Sequence, residues 1–303
     1  MMRYIISSIL SMLPLPALAE VPRVMTDIPP VYGLVAQVMG DLGAPVLLLE
    51  NGADEHDFQL RPSQMTDIAN ADMAVWIGPE LTPWMDRALE GAKENMTSLP
   101  LLAVQGTTLM EFAAKDDHAD DDGHDHDHDH SGADPHAWLN PENAAPWLDA
   151  IAAVLSAKDS GNAAIYAANA ATAKAEIAAL DAEISAAIAP VKDKGFVAYH
   201  DAYQYFAAHY GMNYLGAIAM GDASAAGAAH LRAVQDTIAD GVVCVFPEVQ
   251  HDADLLLQLT EGTAVNAGAA LDPAGAMLNP SPASYTDVLR NLTAALTGCL
   301  SGA

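Results

Sequence analysis

The segment that most limits what this chain can fold into is 163–190, AAIYAANAATAKAEIAALDAEISAAIAP. Alanine is the best helix former, no glycine or proline interrupts the run until Pro190, and Ile165, Ile177, Leu180, Ile184 and Ile188 give an intermittent apolar stripe. At about 1.5 Å per residue this predicts a helix of roughly 40 Å, long enough to run along two domains. A rod of that length divides the rest of the sequence into a part before it and a part after it.

Both parts alternate short apolar runs with helical patterns. Before the rod, PRVMTDI, APVLLLE, MAVWIG and SLPLLAV read as strands. Between them VYGLVAQVMGDL, RPSQMTDIANA and LTPWMDRALEGAK read as helices, several with Pro or Ser near the start. A further helix is expected over 141–157, starting from LNPEN. After the rod, GFVAYH, NYLGAIAM, VVCVFPE and AVNAGAALD are strand-like, and QYFAAHYG, HLRAVQDTIADG, ADLLLQLTEG and SYTDVLRNLTAALTGCL helix-like. Strands alternating with helices argue for parallel βα units. The expected fold is α/β: two lobes with mainly parallel sheets, an N-terminal lobe over 20–160 and a C-terminal lobe over 192–303, joined by one long rigid helix over 161–191.

The first residues, MMRYIISSILSMLPLPALAE, carry one Arg, a short apolar core and an Ala17-Leu18-Ala19 ending. That is the pattern of a secretory signal peptide over 1–19. Its core is shorter than the about 20 residues a bilayer requires, and no later apolar run is long enough either, so the mature chain is not expected to span a membrane. Export makes Cys244 and Cys299, the two cysteines of the chain, an expected disulfide; two unrelated buried thiols are the other reading. The net charge of −28 excludes nucleic acid as a natural partner, since phosphate binding needs clustered Lys and Arg, and favours cationic ligands.

The acidity is densest in 116–134, which holds nine Asp and five His. The surrounding low-complexity insert, 114–134, cannot bury a core and is expected to be a mobile loop in the absence of metal. Its histidines, His118, His124, His126, His128 and His130, recur mostly every second residue, but nothing in the sequence fixes their geometry. Ordering such a loop costs about 1–2 kcal/mol per residue of backbone, so it should bind a metal more weakly than a preformed cleft. An auxiliary metal-capture or transfer element is the reading taken; a merely solvating acidic tract is the plain alternative.

Three other histidines share a setting. His56 in NGADEHDFQLRPS follows a strand, His136 in DPHAWLNP precedes a helix, and His200 in GFVAYHDAYQYF ends a strand; Asp272 in ALDPAG also lies at a strand end. In open α/β sheets ligands bind beyond the carboxyl ends of the strands, so a cleft between the lobes would bring the four together. Three imidazoles and a carboxylate suit tetrahedral zinc. His209, His230 and His251 lie within or beside helical patterns and read as structural histidines.

HDFQLRPS, NADMAVWIGPELTPWM, DPHAWLNP, YHDAYQYF and LDPAG, in that order, resemble the zinc-uptake solute-binding proteins of bacterial ABC transporters (ZnuA-like, cluster A-I). The likeness runs over nearly all of the mature chain, and a His/Asp-rich insert before DPH is a frequent feature of zinc-type members. The resemblance implies two α/β lobes on a rigid helix, with one Zn²⁺ in the interlobe cleft as transported ligand and His56, His136 and His200 as its metal ligands. Manganese-type relatives usually have Glu where His200 stands. Asp272 matches the aspartate that closes the site in many relatives; in some zinc-type members the acidic residue before the first His, here Glu55, or water takes that role.

The function so implied is a monomeric periplasmic zinc receptor that delivers Zn²⁺ to an ABC permease. A periplasmic zinc-donor protein is an open second partner for the loop. A zinc-buffering protein or chaperone without a transporter, and a manganese or iron receptor of the same fold, are the competing readings. An enzyme is not expected. A hydrolase could use a zinc-bound water with Glu55 as base, but the chain has neither HExxH nor a GxSxG turn, and Asp272 would fill the open coordination position.

Overall fold

The computed structural model describes residues 21–111, 132–219 and 227–302. The expected signal peptide and His118, His124, His126, His128 and His130 lie outside these residues.

Strand β1 (Val24–Thr26) leads into helix α1 (Pro29–Met39), followed by β2 (Val46–Leu47), α2 (Pro62–Asn70), β3 (Met73–Trp76), α3 (Pro83–Leu89), β4 (Thr97–Pro100) and α4 (Ala144–Lys158). The strands form one parallel sheet in the order β2-β1-β3-β4. Every residue of β1 and β3 is buried, and β3 reads as an unbroken apolar run: helices cover both faces of the sheet. Prolines set the helix starts at Pro29, Pro62 and Pro83, where the first turn has no use for an N–H donor.

Helix α5 (Ala163–Ile188) is the predicted rod, 26 residues long. Its buried face is Tyr166, Ala170, Ala173, Ile177, Leu180, Ile184 and Ile188, at spacings of three and four. Ile165, expected in the stripe, is 43% exposed. The N-terminal half uses Tyr166 and two alanines instead, and their small side chains let α4 and α1 pack closely against it.

The second half repeats the first: β5 (Gly195–His200), α6 (Gln204–Tyr210), β6 (Tyr214–Ala219), α7 (Ala228–Ala239), β7 (Val242–Phe246), α8 (Asp254–Thr260), β8 (Asn266–Ala267) and α9 (Ser284–Gly302). Its parallel sheet has the same order, β6-β5-β7-β8. Cys244 on β7 is disulfide-bonded to Cys299 on α9, 55 residues away. Closing a loop of that length stabilises by about 4 kcal/mol on chain-entropy grounds.

Helix α9 belongs to the second half in sequence, yet it packs against α1 and α5. At Gly33 on α1 an added Cβ would lie 2.7 Å from the backbone nitrogen of Tyr285, so the close crossing of α1 and α9 requires glycine there. One contiguous core therefore runs from Leu34 and Val35 through Leu180 and Ile184 to Phe196, Leu289 and Leu296. Wide separation of the lobes would have to open that core, so only limited motion at the cleft is compatible with the packing. Among the described residues no helix is long and apolar enough to cross a membrane.

Candidate metal centre

In both sheets the connections reverse direction beside the first strand, between β1 and β3 and between β5 and β7. A crevice opens there beyond the carboxyl ends of the strands. His200 is the last residue of β5, and Glu248 lies two residues past the end of the adjacent β7. The His200 Nδ1–H donates to the Glu248 carboxylate, with nitrogen–oxygen distances of 2.8 and 2.9 Å.

The first lobe supplies two more imidazoles. His56 sits on the loop after β2, where its backbone N–H donates to Asp54 Oδ1 at 2.8 Å and the Trp84 indole N–H donates to the Glu55 carbonyl at 2.8 Å. His136 precedes a 3₁₀ turn over Ala137–Leu139. The fully buried Asp134 accepts both from its backbone N–H, at 2.8 Å, and from its ring Nδ1–H, at 2.7 Å. The Trp138 ring lies 5.2 Å from that of His136.

The three rings converge, with centroids 5.3 Å apart for His56 and His136, 5.7 Å for His56 and His200, and 5.0 Å for His136 and His200. One nitrogen from each can be chosen so that all lie within 4.8 Å of one another. His136 Nε2 and His200 Nε2 are 3.1 Å apart. Carboxylates at both Nδ1 atoms hold both rings in the Nδ1–H form, so the two Nε2 lone pairs point at each other. Lone pairs at that distance repel unless a proton or a cation lies between them. A tetrahedral zinc with Zn–N bonds of about 2.0–2.1 Å would separate two nitrogens by about 3.3–3.4 Å. The observed pair needs to open by only a few tenths of an ångström, and a nitrogen of His56 lies within 4.8 Å of one on each of the other rings, so the three could close on that ion.

Glu248 is fully buried and also accepts from the Tyr203 hydroxyl. Burial pushes its carboxyl up, but His200 beside it, the hydrogen bonds from His200 and Tyr203, and His251 together bring it below the usual glutamate range. Glu55 is also buried, and there burial wins: its carboxyl is pushed up in spite of the neighbouring His56. Glu55 Oε1 lies 3.9 Å from His56 Nε2, while Oε2 accepts from the Gln250 side chain at 2.8 Å. Gln250 also donates to the Ala53 carbonyl at 3.0 Å, tying the second lobe to the loop that carries His56.

Asp272 is not in the imidazole cluster. Among the described residues, the groups that could hold a metal are His56–His136–His200 and His200–Glu248–His251. Asp272 closes a turn, with Oδ1 accepting from the Ala276 N–H at 2.7 Å and Oδ2 from the Met277 N–H at 3.0 Å. Burial pushes its carboxyl up, the backbone donors oppose this, and Glu248 adds to it, so Asp272 feels the charge at the cleft.

Two of the histidines read as structural make structural contacts. His209 Nε2 pairs with Asp181 at 2.8 Å, and His230 Nε2 bonds the Ala217 carbonyl at 3.0 Å. His251 differs from that reading: it lines the cleft together with Glu55, His56, His200, Glu248 and Gln250. Sequence reasoning also missed Glu248, although the strand-end rule that singled out His200 applies equally to the last residue of VVCVFPE.

Two parallel α/β lobes closed over a cleft and held on one rigid helix are the architecture of a solute-binding protein. The chain belongs to the ZnuA family, whose model, described as zinc-uptake complex component A, periplasmic, matches residues 24–299. It is 46% identical to the high-affinity zinc uptake system protein ZnuA of Paracoccus denitrificans over 94% of each chain. Its identity to the protein of the same name from Brucella suis biovar 1 is 33%, over 92% of this chain and 91% of that one. A crystal structure of ZnuA superposes with a TM-score of 0.76 at 23% identity, covering 92% of this chain and 99% of that chain, and so shares the fold.

Proposed function

We propose that this chain is a periplasmic high-affinity zinc receptor that hands Zn²⁺ to the permease of an ABC importer, with His56, His136 and His200 holding the ion. The observation that carries the reading is the 3.1 Å approach of His136 Nε2 to His200 Nε2, with a buried carboxylate at the Nδ1 of each ring. Imidazole nitrogens favour zinc over manganese, which prefers more oxygen ligands. The ion is cargo: it is bound, carried and released, and no bond of a substrate is broken. Membership in the zinc-uptake family and the relatives' names support delivery to an importer and export through residues 1–19. A monomer suffices, because one chain supplies all three imidazoles.

The fourth ligand of this reading is Asp272. Its backbone hydrogen bonds occupy one lone pair on each oxygen and leave others for a cation, and Asp272 would have to approach the three imidazoles to use them. Glu55, 3.9 Å from His56 Nε2, is the alternative.

His118, His124, His126, His128 and His130 would form an auxiliary element that captures zinc from solution or takes it from a donor protein. A zinc stoichiometry and chelator-competition titration compares the mature chain with a variant lacking 116–131. The variant is expected to keep one tight site and lose only weaker ones. Loss of tight binding with the loop would overturn the cleft as the receptor site and favour a metal-buffering role.

A further inference from the structure

His251 stands at the rim of the cleft with its ring stacked on Tyr199, centroids 4.4 Å apart and planes 18° from parallel. The stacking holds the plane of the imidazole, and its Nε2 lies 3.6 Å from Glu248 Oε2. The same Oε2 lies 2.8 Å from His200 Nδ1. One donor atom from each of His200, Glu248 and His251 therefore falls within 4.8 Å of the others, two nitrogens and a carboxylate oxygen suited to a borderline-soft divalent cation. The His251 side chain is 26% exposed and that of His56 11%, whereas Glu248 and His200 are buried and His136 is completely so.

We propose that His251, Glu248 and His200 Nδ1 form an outer zinc position between solvent and the inner centre, and that His200 passes the ion inward by offering its two ring nitrogens in turn. The proposal rests on the reading of His56, His136 and His200 as the inner ligands. With zinc at the outer position, His200 gives Nδ1 and carries its proton on Nε2, which donates to His136 Nε2 across the observed 3.1 Å. With zinc inside, His200 gives Nε2 and its proton sits on Nδ1, donating to Glu248. The ring has the same number of protons in both arrangements. A single neutral ring cannot complete both sites at once, so the outer position is a point of transit and the cleft holds one ion in total.

A transit position changes rates and leaves equilibrium alone. The test uses the full mature chain with two substitutions, His251→Phe, which keeps a ring on Tyr199 without a donor atom, and His251→Gln. Loading is followed by Trp138 fluorescence on rapid mixing with Zn²⁺, release by transfer to excess fluorescent chelator, and affinity by chelator competition. Loading and release should both slow by about tenfold in both variants while affinity stays within about threefold, since a barrier raised by one ligand acts on both directions alike. Wild-type rates in either variant would overturn the proposal. So would an affinity loss that accounts for the whole rate change, because His251 would then belong to the tight site. If instead His56→Ala keeps tight binding, the inner centre itself is wrong, whatever His251 does.

Discussion

Replacing His56 with alanine is expected to weaken zinc binding by the mature chain about 10²–10³-fold and to leave the melting temperature of the zinc-free protein almost unchanged. Four-ligand zinc sites bind with about 10–16 kcal/mol, so one ligand in four carries about 2.5–4 kcal/mol, a factor of about 10²–10³. His56 gives the cleanest test of the three imidazoles. Removing His136 or His200 would strand Asp134 or Glu248, buried carboxylates whose hydrogen bonds the ring supplies. The His56 side chain is 11% exposed, and its loop is held by other contacts: the turn on Asp54, the Trp84 bond to Glu55 and the Gln250 bond to Ala53. Those contacts survive the substitution. Chelator competition measures the affinity and thermal unfolding of the zinc-free protein measures the fold. An affinity loss smaller than about tenfold would remove His56 from the ligand set.

The periodic patterns carried most of the architecture. Burial on both faces makes β3 a continuous apolar run, and the proline starts of α1, α2 and α3 stand in the sequence as they stand in the structure. The edge strands β2 and β8 shrink to two residues each, whereas the opposite edges, β4 and β6, keep four and six. The convergence of His56, His136 and His200 was also legible, since all three flank strand or helix ends on one side of their sheets. What was not legible depends on contacts between distant segments. That β7 lies beside β5 is a fact of sheet order, and it alone brings Glu248 to His200. His251 looks like a helix-flanking histidine until that neighbour is known. Asp134 reads as the last acid of a solvated run, whereas the fold turns it inward as the fully buried partner of His136.

That reversal makes Asp134 the most informative residue outside the imidazoles. Asp134→Asn is expected to weaken zinc binding by about 10–100-fold although it touches no ion in the proposed site, since residues that orient a metal-binding histidine matter nearly as much as the ligands. The carboxylate accepts from the His136 backbone and ring on one oxygen and from Gln204 Nε2 on the other. An asparagine has one acceptor oxygen for these two directions. If its NH₂ faces the ring, it takes the Nδ1 lone pair as acceptor and drives the proton to Nε2, where zinc should bind. If it faces Gln204, two donors confront each other in a buried site, at a cost of about 1–3 kcal/mol. The zinc-free Asp134→Asn protein should therefore melt lower or carry its His136 proton on Nε2, and nitrogen NMR of the ring distinguishes the two. His56→Ala should do neither. Unchanged affinity together with an unchanged tautomer would mean that Asp134 only packs the loop, and the argument from opposed lone pairs would then rest on His200 and Glu248 alone.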